Sequence, residues 1–146
     1  MATWDDFIKS ELALLAWREE RSNQVNGMLG VCFIVRNRVK KGWFGSSWLG
    51  NINGHGQFSS MTILGDSQTI KYPVMNDPQF TQILQLVDEV YDQDNPRVDN
   101  LTNGSLYYAD LNNPTFTKGG WFDREILQKS DIHSLAATIG TTSYFK

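Results

Sequence analysis

With 146 residues, the chain is long enough for one core, and 13 Lys and Arg against 16 Asp and Glu give a net charge of -3. That balance excludes a non-specific nucleic-acid binder, which needs a basic surplus against phosphate, and 40% hydrophobic with 20% charged residues excludes a disordered chain. One cysteine excludes an internal disulfide framework; Cys32, His55 and His133 show no zinc-ligand spacing, and neither metal nor cofactor is expected.

The N-terminus, Met1-Ala-Thr-Trp-Asp-Asp6, is acidic where a secretion signal is basic. The longest strongly apolar run, Val31–Val35, falls far short of the ~20 residues of a membrane span. The expectation is a chain made in a cytoplasm, without signal peptide or membrane insertion.

Residues 3–21 read as a helix. Thr3 is placed to cap it, with Asp6 three residues on as a weak capping box, and Ile8, Leu12 and Leu15 follow the helical period. The polar stretch 23–27 reads as a turn. Residues 28–41 form a second helix, apolar on every side in its middle and therefore central, stopping at Gly42. Residues 42–76 are rich in glycine, and the pieces at 57–59 and 61–64 suggest a small hairpin among loops.

Asp77 and Pro78 mark the start of a third helix, with an apolar stripe of Phe80, Ile83, Leu84, Val87 and Val90. Residues 92–103 read as a loop. Leu106-Tyr-Tyr108 and Thr142-Ser-Tyr-Phe145 read as short strands, and the stretch between them as irregular. The expected fold class is α+β: a mainly helical core with a small β-hairpin element in one domain spanning 1–146.

Glu19 is the most informative residue. Ile8, Leu12 and Leu15 all fall within about 40° of it on a helical wheel, so the core-facing stripe ends in a carboxylate. Glu20 lies about 100° further round and Glu11 about 80° the other way, so both are expected to reach water. A carboxylate facing a partly apolar cleft is desolvated, which raises its pKa and lets it donate a proton near neutral pH. The competing reading is an ordinary ion pair between Glu19 and Arg18, Arg21 or Arg38.

Other signals are weaker. His55, between Gly54 and Gly56, reads as an exposed turn histidine. Gly27–Gly30 lacks the Lys and Ser/Thr of a phosphate loop. Ser59 has no nucleophile elbow, and neither Asp5-Asp6 nor Asp92-Gln-Asp94 follows a calcium-loop pattern. The aromatic residues include five Trp and five Tyr, enough either to line a sugar groove or to serve as core and scattered surface.

Residues 12–39 carry a further signal. Leu12-Ala-Leu-Leu-Ala-Trp-Arg-Glu-Glu-Arg-Ser-Asn23, then Gly27, the apolar run 31–35 and Asn37-Arg-Val39 resemble the spore cortex-lytic enzyme type of cell-wall hydrolase, a family of bacteria and phages. Its pattern runs Leu-Ala, Glu-Ala-Arg-Gly-Glu, Gly, an apolar run and Asn-Arg-Val. Gly56-Gln-Phe-Ser59 resembles the family's Gln-Phe-Ser motif, and Leu101–Tyr108 its Thr-x-Gly-Ala-x-x-Tyr/Phe segment. Asn113-Pro114 and the closing Ile139-Gly140 with Tyr144-Phe145 follow in family order.

The resemblance implies a lysozyme-like fold and cleavage of the β-1,4 bond between N-acetylmuramic acid and N-acetylglucosamine. It places the catalytic glutamate on Glu19, and Gln57, Phe58, Ser59, Tyr107, Tyr108 and Asn113 on the substrate. It implies lytic transglycosylation by a single acid on peptidoglycan glycan strands; the alternatives are hydrolysis by water, as in a muramidase, and a non-catalytic glycan-binding or phage structural module. With neither a signal segment nor a separate wall-binding domain, the expectation is a monomeric phage or prophage endolysin, with a virion-associated wall enzyme as the alternative setting. Because adjacent strand residues face opposite ways, Tyr107 is expected in the groove and Tyr108 in the core. The chain departs from the pattern at Glu20 (Ala in the family), Ser22 (Gly), Asn23 (Glu) and Thr142 (His).

Overall fold

Three long helices make the frame. The computed structural model describes residues 2–55 and 57–146; Met1 and Gly56, the first residue of the Gly56–Ser59 motif, lie outside the described residues. Helix α1 spans Trp4–Glu20, and Thr3 and Asp6 close the expected capping box. After a 3-10 turn, Arg21–Asn23, α2 runs Gln24–Lys41 and stops at Gly42, whose φ of 78° is the left-handed cap a glycine accepts without strain. The turn expected over 23–27 is therefore confined to 21–23. Every residue from Gly27 to Arg36 is buried, so α2 is the central helix.

Helix α5, Pro78–Tyr91, follows two short helices, α3 (Trp48–Asn53) and α4 (Ser59–Thr62), and is capped by Asp77 with proline in its first turn. Helices α1, α2 and α5 pack on one another around a core that includes Leu12, Leu15, Met28, Phe33, Ile83 and Val87. Leu84 departs from its expected place in the stripe: it is 39% exposed, and Leu86 packs on the core instead.

The hairpin expected at 57–64 does not form there. Met61 and Ile63 donate backbone hydrogen bonds to Phe58 and Ser59, closing a helical turn. The sheet lies further on: β1 (Tyr107–Asp110) and β3 (Thr142–Phe145) form where the two short strands are expected, β2 (Leu135–Ile139) lies in the stretch read as irregular, and the three make an antiparallel sheet in the order β1-β3-β2. The β2–β3 hairpin turns through Gly140, and two short helices, α6 (Pro114–Thr117) and α7 (Trp121–Glu125), fill the connection from β1. A second apolar cluster of Ala109, Phe122, Ile126 and Phe145 seals them to the sheet. The chain is thus α+β. No described helix is long and apolar enough to cross a membrane.

Candidate active site

The last turn of α1 faces β1 across a cavity of about 470 Å³. Glu19, Gln57, Phe58, Ser59, Tyr107 and Tyr108 all line it. These residues come from the end of one helix, the segment around α4 and a strand near the other end of the chain. Glu19 is the one carboxylate among the described lining residues.

Glu19 is half-buried. Its Oε1 accepts a hydrogen bond from the Tyr108 hydroxyl, and no described Lys, Arg or His side chain forms an ion pair with it. The arginines of the ion-pair reading are engaged elsewhere. Arg18 donates to the carbonyls of Lys71 and Ser60, Arg21 to those of Trp17 and Arg18, and Arg38 to the Leu106 carbonyl and Gln57 Oε1. Burial pushes the Glu19 carboxyl above its ordinary range; the hydroxyls of Tyr108 and Ser60 oppose the shift, Asp66 adds to it and Arg38 opposes it. A helix C-terminus adds negative potential of its own, so the last turn of α1 holds a carboxylate that its dipole does not stabilise and that no described cation pairs with directly.

The two tyrosines do face opposite ways, yet both reach the cavity. Tyr107 packs beside Phe44 and His133, with ring centroids 5.8 and 5.1 Å away. Tyr108 has its ring between Phe58 and Tyr144 and its hydroxyl on Glu19. The expected division, Tyr107 in the groove and Tyr108 in the core, is thus corrected: the Tyr108 ring packs on the core and its hydroxyl is in the site. Burial and the neighbouring Glu19 push the Tyr108 phenol well above its ordinary range, so it acts as a donor.

Gln57 Oε1 is taken by Arg38 Nη1 at 3.1 Å, so its amide nitrogen is the group left for a ligand. Phe58 is buried under the Arg38 guanidinium, 5.0 Å from its ring centroid. Ser59 Oγ donates to Asp66 at 2.6 Å. Asn113 is outside the cavity lining; it caps α6 by accepting from Thr115 N at 3.0 Å. His55 is exposed and also outside the lining.

Glu20 differs most from expectation. It is 4% exposed, not solvated. Its φ of -137° and ψ of 16° leave the helical region, so a wheel angle no longer describes where its side chain goes. Thr142 Oγ1 and Asn23 Nδ2 donate to its two oxygens at 2.6 and 2.7 Å.

Sequence reasoning also missed the far wall, where Phe44, Thr115, Phe116, Trp121 and Phe122 line the cavity. Only the nearness of Asn113-Pro114 pointed there. Arg38 was legible as part of Asn37-Arg-Val39, though not in this role. Comparisons with family models, characterised proteins and solved structures gave no match, so the chemistry of the site rests on its own geometry.

Proposed function

We propose that this chain cleaves peptidoglycan glycan strands at the β-1,4 bond between N-acetylmuramic acid and N-acetylglucosamine, with Glu19 as its acid and base. The observation that carries the reading is Glu19 itself: a carboxyl raised by burial, without an ion-pair partner, held by one tyrosine hydroxyl and lining an aromatic-walled cavity. Aromatic faces suit the apolar faces of pyranose rings, and a few polar groups between them suit hydroxyl and acetamido groups. An acid at the end of a core helix, facing a small antiparallel sheet across a cleft, also supports the lysozyme-like architecture that the sequence resemblance implies.

The reaction proposed is lytic transglycosylation. Protonated Glu19 gives its proton to the glycosidic oxygen as the bond to C1 of the muramic ring breaks. The carboxylate then takes the proton of the same sugar's 6-hydroxyl, whose oxygen closes on C1. A 1,6-anhydro ring forms, no water is consumed and Glu19 regains its proton. With Glu19 as the one carboxylate among the described lining residues, this route is favoured over retaining glycosidase chemistry, in which a second carboxylate about 5–5.5 Å away attacks the sugar. The setting proposed is a monomeric endolysin of phage or prophage.

Clearing of purified cell-wall suspensions tests the reading. Wild-type chain clears them, and Glu19→Gln, nearly isosteric but unable to supply a proton, is slower by about 10²–10⁴-fold. A folded Glu19→Gln chain that clears walls at more than a tenth of the wild-type rate removes Glu19 from the chemistry.

A further inference from the structure

Three of the four positions where the chain departs from the resembled pattern, 20, 23 and 142, meet in space. They come from the end of α1, the 3-10 turn and the first residue of β3. Asn23 Nδ2 lies 2.7 Å from Glu20 Oε2 and 3.1 Å from Thr142 Oγ1, and Thr142 Oγ1 lies 2.6 Å from Glu20 Oε1. The pattern's second carboxylate is missing at 23, and a carboxylate stands at 20 instead, bound by the amide that replaced it. Asn23 also accepts from Thr141 N at 3.2 Å, which ties the β2–β3 turn to the end of α1. The packing is closed: a Cβ on Gly27 would lie 2.5 Å from Asn23 Cβ, and one on Gly140 would strike Asn23 Oδ1.

We infer that Glu20 is a positioning residue for the reaction of Glu19, supplying from position 20 the carboxylate that the resembled pattern places at 23. The inference rests on the wall-cleaving reading of Glu19.

The route from Glu20 to the reacting group runs through the sheet. Thr142, bound to Glu20, pairs with Asp110 of β1; two residues along, Tyr144 pairs with Tyr108, whose hydroxyl is on Glu19. Where Glu20 holds the start of β3, β1 follows, and with it the donor that meets the acid. The charged and titratable groups around Glu20 are Glu19 from α1, Asp110 and Tyr108 from β1 and Tyr144 from β3. None is a cation. A buried carboxylate without a cation is expensive, and packing alone is served as well by an apolar residue. Its two donors hold the carboxylate in one place, which is what aligning a strand against a helix end requires.

The test compares wild type, Glu20→Ala, Glu20→Gln and the double variant E20A/N23E, each checked for folding by near-ultraviolet circular dichroism. Initial clearing rates are measured over a range of wall concentration. Glu20→Ala lowers the maximal rate by at least about tenfold, since misplacing a group by about 1 Å costs about 10²-fold, and leaves the half-saturating wall concentration unchanged. E20A/N23E, which returns the carboxylate to position 23 opposite the same Thr142, recovers most of that rate. If Glu20→Ala does not fold, Glu20→Gln carries the first comparison with the same expectation. A folded single variant at the wild-type maximal rate, a loss confined to half-saturation, or a folded E20A/N23E as slow as Glu20→Ala overturns the inference. A wild-type chain that clears no wall at all overturns the reading beneath it, and this inference with it.

Discussion

The Tyr108 hydroxyl donates to Oε1 of Glu19, joining two residues 89 positions apart in the chain. The bond holds the acid between two opposed influences. Burial favours the neutral carboxyl, and the phenol favours the anion. An acid that must first give a proton and then take one back needs both forms within reach.

Tyr108→Phe therefore moves the acid in a definite direction. Loss of the donor leaves burial less opposed, so the Glu19 pKa rises further and the alkaline limb of the pH–rate profile shifts to higher pH. The maximal rate falls, because the returning carboxylate loses a partner. Stability falls by only about 0.5–1.5 kcal/mol, the net worth of an ordinary hydrogen bond. Urea titration and a pH series of clearing rates check both parts. An unmoved alkaline limb would mean that Tyr108 does not set the acid.

Glu19→Gln has a stability signature separate from activity. The folded-state pKa of Glu19 lies above its ordinary value of 4.5. Below that value both chain states carry a neutral carboxyl, and the variant matches wild type. As pH rises through the interval up to the folded pKa, the unfolded wild-type chain ionises first and the wild-type fold loses stability. The glutamine does not titrate, so the melting temperature of Glu19→Gln gains on wild type with rising pH and levels off above the folded pKa. A variant that instead loses ground as pH rises would mark Glu19 as ion-paired.

Arg38 joins the two walls of the cavity, donating to the Leu106 carbonyl at 2.8 Å and to Gln57 at 3.1 Å while lying over Phe44 and Phe58. Arg38→Leu leaves both acceptors unpaired and lowers stability by about 1–3 kcal/mol in urea. Arg38→Lys recovers only part of this, since an ammonium lacks the planar fork that serves two acceptors in fixed directions. Full recovery by lysine would show that charge alone matters at this position.

What could be read from the chain was local. The capping pair Thr3–Asp6, the Asp77-Pro78 start and the Gly42 stop are short-range signals, and each marks a helix end in the structure. The wheel brought Glu19 to the core side of α1 because residues 8–19 are all helical. It failed one residue later because the backbone of Glu20, the last residue of α1, departs from helical φ and ψ. The sheet was harder. β2 carries only the weak alternation of Leu135-Ala-Ala-Thr-Ile139, broken by a shift in register between Leu135 and Ala137, and its pairing with β3 is what makes it a strand. Residues 57–62 favour a strand by composition, yet Ser59–Thr62 turns helically under Tyr108 and Arg18. The far wall at 115–122 depends on the second apolar cluster, which no local pattern announces.

Mass spectrometry of the soluble fragments released from purified peptidoglycan tests the central claim most directly. The account predicts muropeptides ending in 1,6-anhydro-N-acetylmuramic acid, one water lighter than hydrolysis products, released by wild type and absent with Glu19→Gln. Fragments with ordinary reducing ends would contradict transglycosylation, and anhydro fragments released undiminished by Glu19→Gln would contradict the role of Glu19.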